Sequence, residues 1–249
     1  MENLERLKAQ FNVMEGLVEQ VATGDIRGLI ISGPAGIGKT YNVTKVLNNY
    51  VKYMAPLLGV DAKLEVCAGH MTSVGLVEAL WRNRAASNTL VLDDIDTVLE
   101  KLDALNLLKA ALDTGDSRTI SYMAQNASLR KQGIPQQFRY DGSVILITNQ
   151  DMENNTSKMA PHFKALISRC YYFDLGFEGQ GDCLAWIKHV VDSSNMLGTP
   201  EANGEIVKYM TDNLDHLREL SLRTAIKIKK VYHKPNWKQI ADFTVLTDD

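Results

Sequence analysis

The eight residues Gly33-Pro34-Ala35-Gly36-Ile37-Gly38-Lys39-Thr40 constrain this 249-residue chain more than any other stretch. They fit GxxxxGK[ST] and stand between an apolar β-branched run, residues 28–32, and a segment of helical periodicity, the setting this motif requires. Glycines let successive backbone N–H groups converge on phosphate oxygens, and the helix beginning near Lys39 aims its positive end at the same place. Lys39 is then placed to bridge β- and γ-phosphates, and Thr40 to offer its hydroxyl to Mg2+. At ordinary residue usage, a chance match somewhere in a chain of this length has odds of about one in a hundred. The flanking strand and helix lower them further.

Residues 1–175 alternate short apolar runs with helical periodicity, the signature of βαβ units on a mostly parallel sheet. Leu4, Leu7, Phe11, Met14, Leu17, Val18 and Val21 recur at three- and four-residue steps and predict an amphipathic leading helix ended by Gly24-Asp25. Strands are expected at 28–32, 63–68, 90–93, 143–148 and 171–175; the first, third and fourth are nearly continuous apolar runs, as buried strands are. Helices fill the gaps at about 41–54, 73–86, 97–113 and 159–168. After Leu175 only helical segments follow, at about 179–194, 201–217 and 221–233. The expected architecture is α/β: a nucleotide-binding domain over 1–175 with a five-stranded, mostly parallel sheet flanked by helices, and a small all-helical lid over 176–249.

Composition narrows what such a protein works on. Lys and Arg number 27 against 30 Asp and Glu, a net charge of −3, so any contact with nucleic acid or an anionic membrane must be local. Cys67, Cys170 and Cys183 are an odd set without CxxC spacing, which suits reduced thiols in the cytoplasm. The histidines show neither HExxH nor a His/Cys cluster of the kind zinc needs. No apolar run approaches the roughly 18 residues of a membrane span.

Leu90-Val-Leu-Asp93-Asp94-Ile-Asp96 begins 50 residues past Thr40 and is an apolar strand ending in acids. Asp93 is placed to hold Mg2+ through water and Asp94 to polarise an attacking water. The plainer use of these acids is capping the next helix, a role that Asp96 or Thr97 fills better.

With these residues the sequence resembles the AAA+ ATPase family, over almost its whole length. The family order is a P-loop, an acidic Walker B strand, a polar sensor 1 residue, an arginine finger at a subunit edge, and a sensor 2 arginine in the lid. The resemblance implies ATP bound by residues 33–40 and by Tyr41, with Mg2+ on Thr40 and Asp93. It makes Asn149, after Val144-Ile-Leu-Ile-Thr148, the sensor 1 residue that orients the water between the γ-phosphate and Asp94. It makes Arg169, in ALISRCYYFDL, the arginine that reaches the γ-phosphate held by a neighbouring subunit, with Arg118 and Arg139 as rivals. Arg223, in LSLRTAIKI, becomes the sensor 2 contact to ATP in cis. Catalysis then falls to Lys39, Asp94, Asn149 and Arg169. The plainer readings are a turn residue for Asn149, a helix C-terminal charge for Arg169 and a solvated helix face for Arg223. One departure stands out: Asp94 occupies the place of the usual glutamate. Its shorter side chain must sit closer to the water or work through a second one, which argues against fast hydrolysis.

Three stretches are candidates for a substrate. Cys67-Ala-Gly-His70-Met71-Thr72 follows the second strand, where ring-forming AAA+ proteins place a pore loop; it lacks the aromatic-hydrophobic-Gly pattern of protein unfoldases and also reads as a connector. Residues 116–142 form a long connection carrying Arg118, Arg130, Lys131 and Arg139 against Asp116 and Asp141. There, 119–123 and 137–140 can pair as a hairpin like the insertions of some DNA-acting AAA+ proteins, or remain a surface loop. Arg223–Lys238 holds six Lys or Arg and no acid, interleaved with Tyr232 and Trp237. Such a pattern tracks phosphates and stacks on bases, or it is a solvated face with Trp237 packed beneath. The resemblance as a whole implies an ATP-hydrolysing motor or loader of DNA metabolism, a ring-type homo-oligomer (a hexamer or a smaller open ring), cytoplasmic and without membrane contact. The alternative is a slowly hydrolysing ATP-gated switch or scaffold assembled on a protein or nucleic-acid partner.

Overall fold

The computed structural model describes residues 2–115, 117–124, 126–194 and 196–247. They group into two compact units, residues 11–33 with 39–175, and residues 1–10 with 34–38 and 176–249.

The larger unit contains most of α1 (Glu2–Thr23), whose Phe11, Met14, Val18 and Val21 form the expected buried stripe. Next come β1 (Gly28–Ser32), α2 (Lys39–Asn49), a π-helical turn (Tyr50–Met54), α3 (Ala55–Leu57), β2 (Lys63–Ala68), α4 (Ser73–Arg82) and β3 (Asn88–Asp93). α5 (Asp96–Leu99), α6 (Leu102–Ala111), β4 (Thr119–Ser121), α7 (Ala127–Lys131), β5 (Gln137–Arg139), β6 (Ser143–Thr148), α8 (Ala160–Ile167) and β7 (Tyr171–Asp174) complete it. Five strands pair in parallel in the order β2-β3-β6-β1-β7. Every residue of β1 and β6 and all but the last of β3 are buried. The three continuous apolar runs are therefore the three inner strands, covered on both faces. The edges fall to β2, with Lys63 and Glu65, and to β7, where Tyr171 is exposed, because an edge tolerates polar side chains that an inner strand does not.

The long connection before β6 is more than a surface loop. β4 and β5 pair antiparallel with Ile120 opposite Phe138, and Ile120, Leu129, Ile134, Phe138 and Tyr140 join the main core. Asp116 and Gln125 of this stretch lie outside the described residues. Arg118 is only 1% exposed; its guanidinium donates to Ala111 O at 2.6 Å and Gly142 O at 2.8 Å, closing the C-terminal end of α6. A guanidinium buried on two carbonyls is structural, so Arg118 drops out as an arginine offered to a neighbouring subunit. Arg139 is held by Asp141 at 2.9 Å.

In the smaller unit, α9 (Gln180–Ser193), α10 (Pro200–Asp212), a 3-10 turn (Leu214–His216), α11 (Leu222–Tyr232) and α12 (Trp237–Val245) enclose a core that includes Ile187, Val191, Ile206, Met210 and Ile228. α12 has no counterpart among the helices expected from the sequence. Its signal was there in Trp237, Ala241 and Val245, buried at four-residue steps. Thr199 caps α10 by accepting from Ala202 N at 3.2 Å, ahead of Pro200 at the first helical position.

Asp182, in the first turn of α9 and 1% exposed, accepts hydrogen bonds from Glu178 N at 2.9 Å, Asn3 Nδ2 at 3.0 Å and the Arg6 guanidinium. The Glu178 N–H, with Asn3 and Arg6, holds this carboxyl below its ordinary pKa. A carboxyl with a lowered folded pKa stabilises the fold fully above its unfolded value of about 4, and the contribution is lost as the pH falls through the folded value. Asp182→Asn is therefore expected to lower the urea midpoint at pH 7, with the two proteins converging in acid. An equal gap at both pH values would contradict this.

Burial raises the Cys67 and Cys170 thiols to about 11 and about 12, so neither is a thiolate at neutral pH. Among the described residues no helix is long and apolar enough to cross a membrane.

Candidate active site

The five sheet strands run the same way, so their C-terminal ends share one edge, where parallel sheets open a crevice. β6 lies between β3 and β1, with Ser32 level with Thr148 and Asp93 level with Ile147. The next residues in the chain are Gly33, Asn149 and Asp94. Strand order thus puts Asn149 between the phosphate loop and the acids.

Side chains close this arrangement into a circuit. Lys39, 5% exposed, donates from Nζ to Gly33 O and to Asn149 Oδ1, each at 2.7 Å. Asn149 Nδ2 donates to Asp94 Oδ1 at 2.8 Å. An ammonium only donates and a carboxylate only accepts, so its two neighbours dictate which way the amide faces. Beside them, Thr40 Oγ1 donates to Asp93 Oδ1 at 2.9 Å. A hydroxyl and a carboxylate side by side are hard oxygen donors, and they fit Mg2+, which binds through few protein ligands and keeps several waters.

Asp94 is the one non-glycine residue at positive φ (49°) among those described, and its N–H is held by Ile147 O at 3.1 Å. Asp and Asn enter this left-handed region more readily than other side chains. Aspartate is thus suited to the backbone turn at position 94.

In the phosphate loop, Gly33, Gly36 and Gly38 take φ of 151°, 69° and 101°, and α2 begins at Lys39. Pro34, Ala35, Gly36, Ile37 and Gly38 pack with the helical unit, which the change of pattern near residue 176 does not reveal. Gly36 O accepts from Leu222 N at 3.0 Å and Ile37 O from the Trp186 indole at 2.9 Å. A Cβ at position 36 would lie 2.5 Å from Ser221 Cβ, so the loop can approach α11 only through glycine. Arg223 follows Leu222, exposed in the first turn of α11 and one residue from the loop contact. The Tyr41 side chain is 70% exposed on α2.

Arg169 stands elsewhere. Tyr171 pairs with Leu29, which puts Arg169 about level with Arg27, and at ~3.3 Å per residue it lies roughly 20 Å from the edge carrying Gly33. It belongs to the opposite end of the sheet, in an open cleft of about 450 Å3 shared with Asp25, Arg27, Asp113, Ser168 and Tyr171. Its guanidinium donates to Ala165 O at 2.6 Å and lies 3.8 Å from Asp113 Oδ2. The fold therefore does not bring Arg169 to its own Lys39, Asp94 and Asn149. Lys109 joins this end: its Nζ is 2.6 Å from His162 Nδ1, and burial together with nearby Arg169 lowers its pKa. Nothing in an amphipathic helix marks such a lysine beforehand.

Two of the substrate stretches are altered by packing. In Cys67–Thr72, His70 is exposed, whereas Met71 is half-buried against the core and its backbone N–H and C=O both engage Thr97 Oγ1 at 3.3 Å. In Arg223–Lys238 the lysines at 227, 230, 234 and 238 are exposed, whereas Trp237 is 8% exposed, its ring 5.5 Å from that of Tyr209 and 5.3 Å from that of Tyr232. Trp237 is a core residue and is not available to stack on a base.

Among curated proteins, the chain is 35% identical over 250 residues to a protein of Enterobacteria phage T4 described as "Uncharacterized 36.7 kDa protein in nrdC-mobD intergenic region", a match spanning 95% of this chain and 73% of the relative. The chain belongs to the family of that phage protein. No protein-family model matches the sequence. The fold of this family member is that of the AAA+ ATPases. It is similar to domain III of the replication initiation protein DnaA from Thermotoga maritima, with a TM-score of 0.51 at 13% identity over 95% of this chain and 92% of that one. It is also similar to Aeropyrum pernix ORC1, solved in complex with DNA, with a TM-score of 0.53 at 14% identity over 97% and 62% of the two chains. A third likeness is to Brucella abortus NtrX, solved in complex with ATP, with a TM-score of 0.50 at 14% identity over 95% and 49%.

Proposed function

We propose that this protein binds ATP with Mg2+ and hydrolyses it in an assembly of identical copies, each completing the site of the next. The observation that carries this reading is the circuit Lys39–Asn149–Asp94 beside the Thr40–Asp93 pair. Lys39 and the loop N–H groups hold the phosphates. Thr40 and Asp93 hold Mg2+, which supplies neutralising charge to the phosphate oxygens. Asn149 orients a water that Asp94 deprotonates as it attacks the γ-phosphorus, the bond to the β–γ bridging oxygen breaking so that ADP and phosphate leave. Arg169 serves a neighbour's γ-phosphate, since its place at the far end of the sheet removes it from its own. Arg223, beside the Leu222–Gly36 contact, is the cis arginine of the lid.

A role as motor or loader in DNA metabolism is supported by fold-level likeness to DnaA domain III and to ORC1 in complex with DNA. The exposed cations of 117–142 and of α11 are the surfaces that such a role would use. A second reading, an ATP-gated switch with little turnover, is favoured by the short Asp94 carboxylate held on a fixed backbone turn.

The test is phosphate release measured with ATP and Mg2+ alone and with single-stranded DNA, duplex DNA, RNA and unfolded protein in parallel, alongside light scattering. Stimulation by one polymer and growth in mass with ATP are expected. A strict monomer under these conditions would rule out the shared site. Negligible release throughout, with ATP-dependent assembly, would select the switch.

A further inference from the structure

We propose that Trp186 is a positioning residue of the phosphate loop, acting with the backbone N–H of Leu222 to aim two loop N–H groups at the nucleotide; this rests on the ATP-binding reading above. A peptide unit is planar and trans, so the C=O of one residue and the N–H of the next point in opposite directions. No peptide bond among the described residues is cis. For the N–H of Ile37 to face a phosphate, the C=O of Gly36 must face the protein. For the N–H of Gly38, the same holds for the C=O of Ile37. A carbonyl turned inward needs a donor. The helical residues grouped with the loop supply both: Leu222 N reaches Gly36 O at 3.0 Å and Trp186 Nε1 reaches Ile37 O at 2.9 Å.

The two donors are well chosen for this work. Indole N–H is a donor only, so it cannot bind a rotated peptide through its N–H side. Trp186 is 6% exposed and its ring is fixed by packing, which makes the donor stationary. Leu222 is the first residue of α11, with Ser221 as the cap, so its N–H has no partner within the helix and is available to the loop. Gly36, with φ of 69° and no room for a Cβ against Ser221, lets the chain come close enough for both bonds to form. The loop's N–H directions are set before any nucleotide arrives.

Two substitutions separate this role from simple packing. Trp186→Phe keeps an aromatic ring and removes the N–H. Leu222→Pro removes the other N–H at the helix position where proline is best accepted, and Ser221 before it is already extended at φ −153° and ψ 164°, as a residue preceding proline must be. Binding of a fluorescent ATP analogue, mant-ATP, is measured for both variants and the wild type together with Tm. Affinity is expected to fall about 3- to 10-fold in each single variant and further in the double one, in line with the loss of one and two hydrogen bonds, with Tm changed by only a few degrees. A lowered Tm with unchanged mant-ATP affinity would overturn the proposal and leave Trp186 a packing residue. Wild-type protein that binds no mant-ATP would overturn the ATP reading itself, and the inference with it. For a variant that does not fold, the wild type supplies the answer: the three tryptophans give three indole N–H resonances, and one of them should shift on adding ATP. No shift in any of the three counts against the proposal.

Discussion

Arg169→Ala is expected to bind ATP as the wild type does and to hydrolyse it at least ~10³-fold more slowly, the lower bound for an arginine supplied in trans to a P-loop site. Binding is spared because Arg169 sits at the N-terminal end of the sheet, away from its own Lys39 and Thr40. Mixing gives the sharper result. A copy with Asp94→Asn still offers its Arg169, and a copy with Arg169→Ala still has its Asp94. In a random 1:1 mixture roughly a quarter of the interfaces join the two intact halves, if the contact is head-to-tail. Two inactive proteins should therefore regain activity together, at a level set by the mixing ratio. Absence of rescue at every ratio would sink the shared site, whereas strong loss of mant-ATP binding by Arg169→Ala alone would mean that the arginine acts in cis or supports the fold.

Asp94→Asn is expected to lower kcat by ~10²–10⁴-fold, the usual worth of a positioned base, with ATP affinity little changed. The substitution is unusually clean for a structural reason. Asparagine enters the left-handed region as readily as aspartate, so φ of 49° at position 94 can be kept, and its side-chain oxygen can still accept from Asn149 Nδ2. What disappears is the capacity to take a proton. Asp94→Glu, the change toward the more usual acid, is not expected to speed the reaction, because a longer side chain is less at home at that backbone angle. A single-turnover measurement with the same mant-ATP titration decides both points; hydrolysis by Asp94→Asn at the wild-type rate would remove Asp94 from the chemistry.

Much of this was legible because it rests on local rules. GPAGIGKT needs only its own glycines and its flanks to declare itself, and the unbroken apolar runs of β1, β3 and β6 marked the inner strands. Asn149 is named by the family resemblance, at the end of an apolar strand, and strand order places it between Lys39 and Asp94, to both of which it is hydrogen-bonded. The misses have a common origin in contacts between residues distant in sequence. A tryptophan on an amphipathic helix reads as core, and nothing local to Trp186 says that its N–H meets Ile37 O 149 positions away. Arg118 reads as a surface cation until its two carbonyl partners are known. Trp237 among lysines looks like a base-stacking platform until the core of Tyr209 and Tyr232 closes over it.

The hairpin of β4 and β5 divides residues 117–142 into parts with different freedom to diverge. Its base is committed: Ile120, Phe138 and Tyr140 lie in the main core and Arg118 seals the end of α6. Excising the stretch would take these residues with it and collapse the sheet's packing rather than yield a loopless version of the protein. Toward its tip, Met123 is 66% exposed and Arg130 and Lys131 stand at the surface end of α7, while Leu129 and Ile134 tie α7 to the same core. Sequence change should therefore be accepted at Met123, Arg130 and Lys131 and resisted at Ile120, Phe138 and Tyr140.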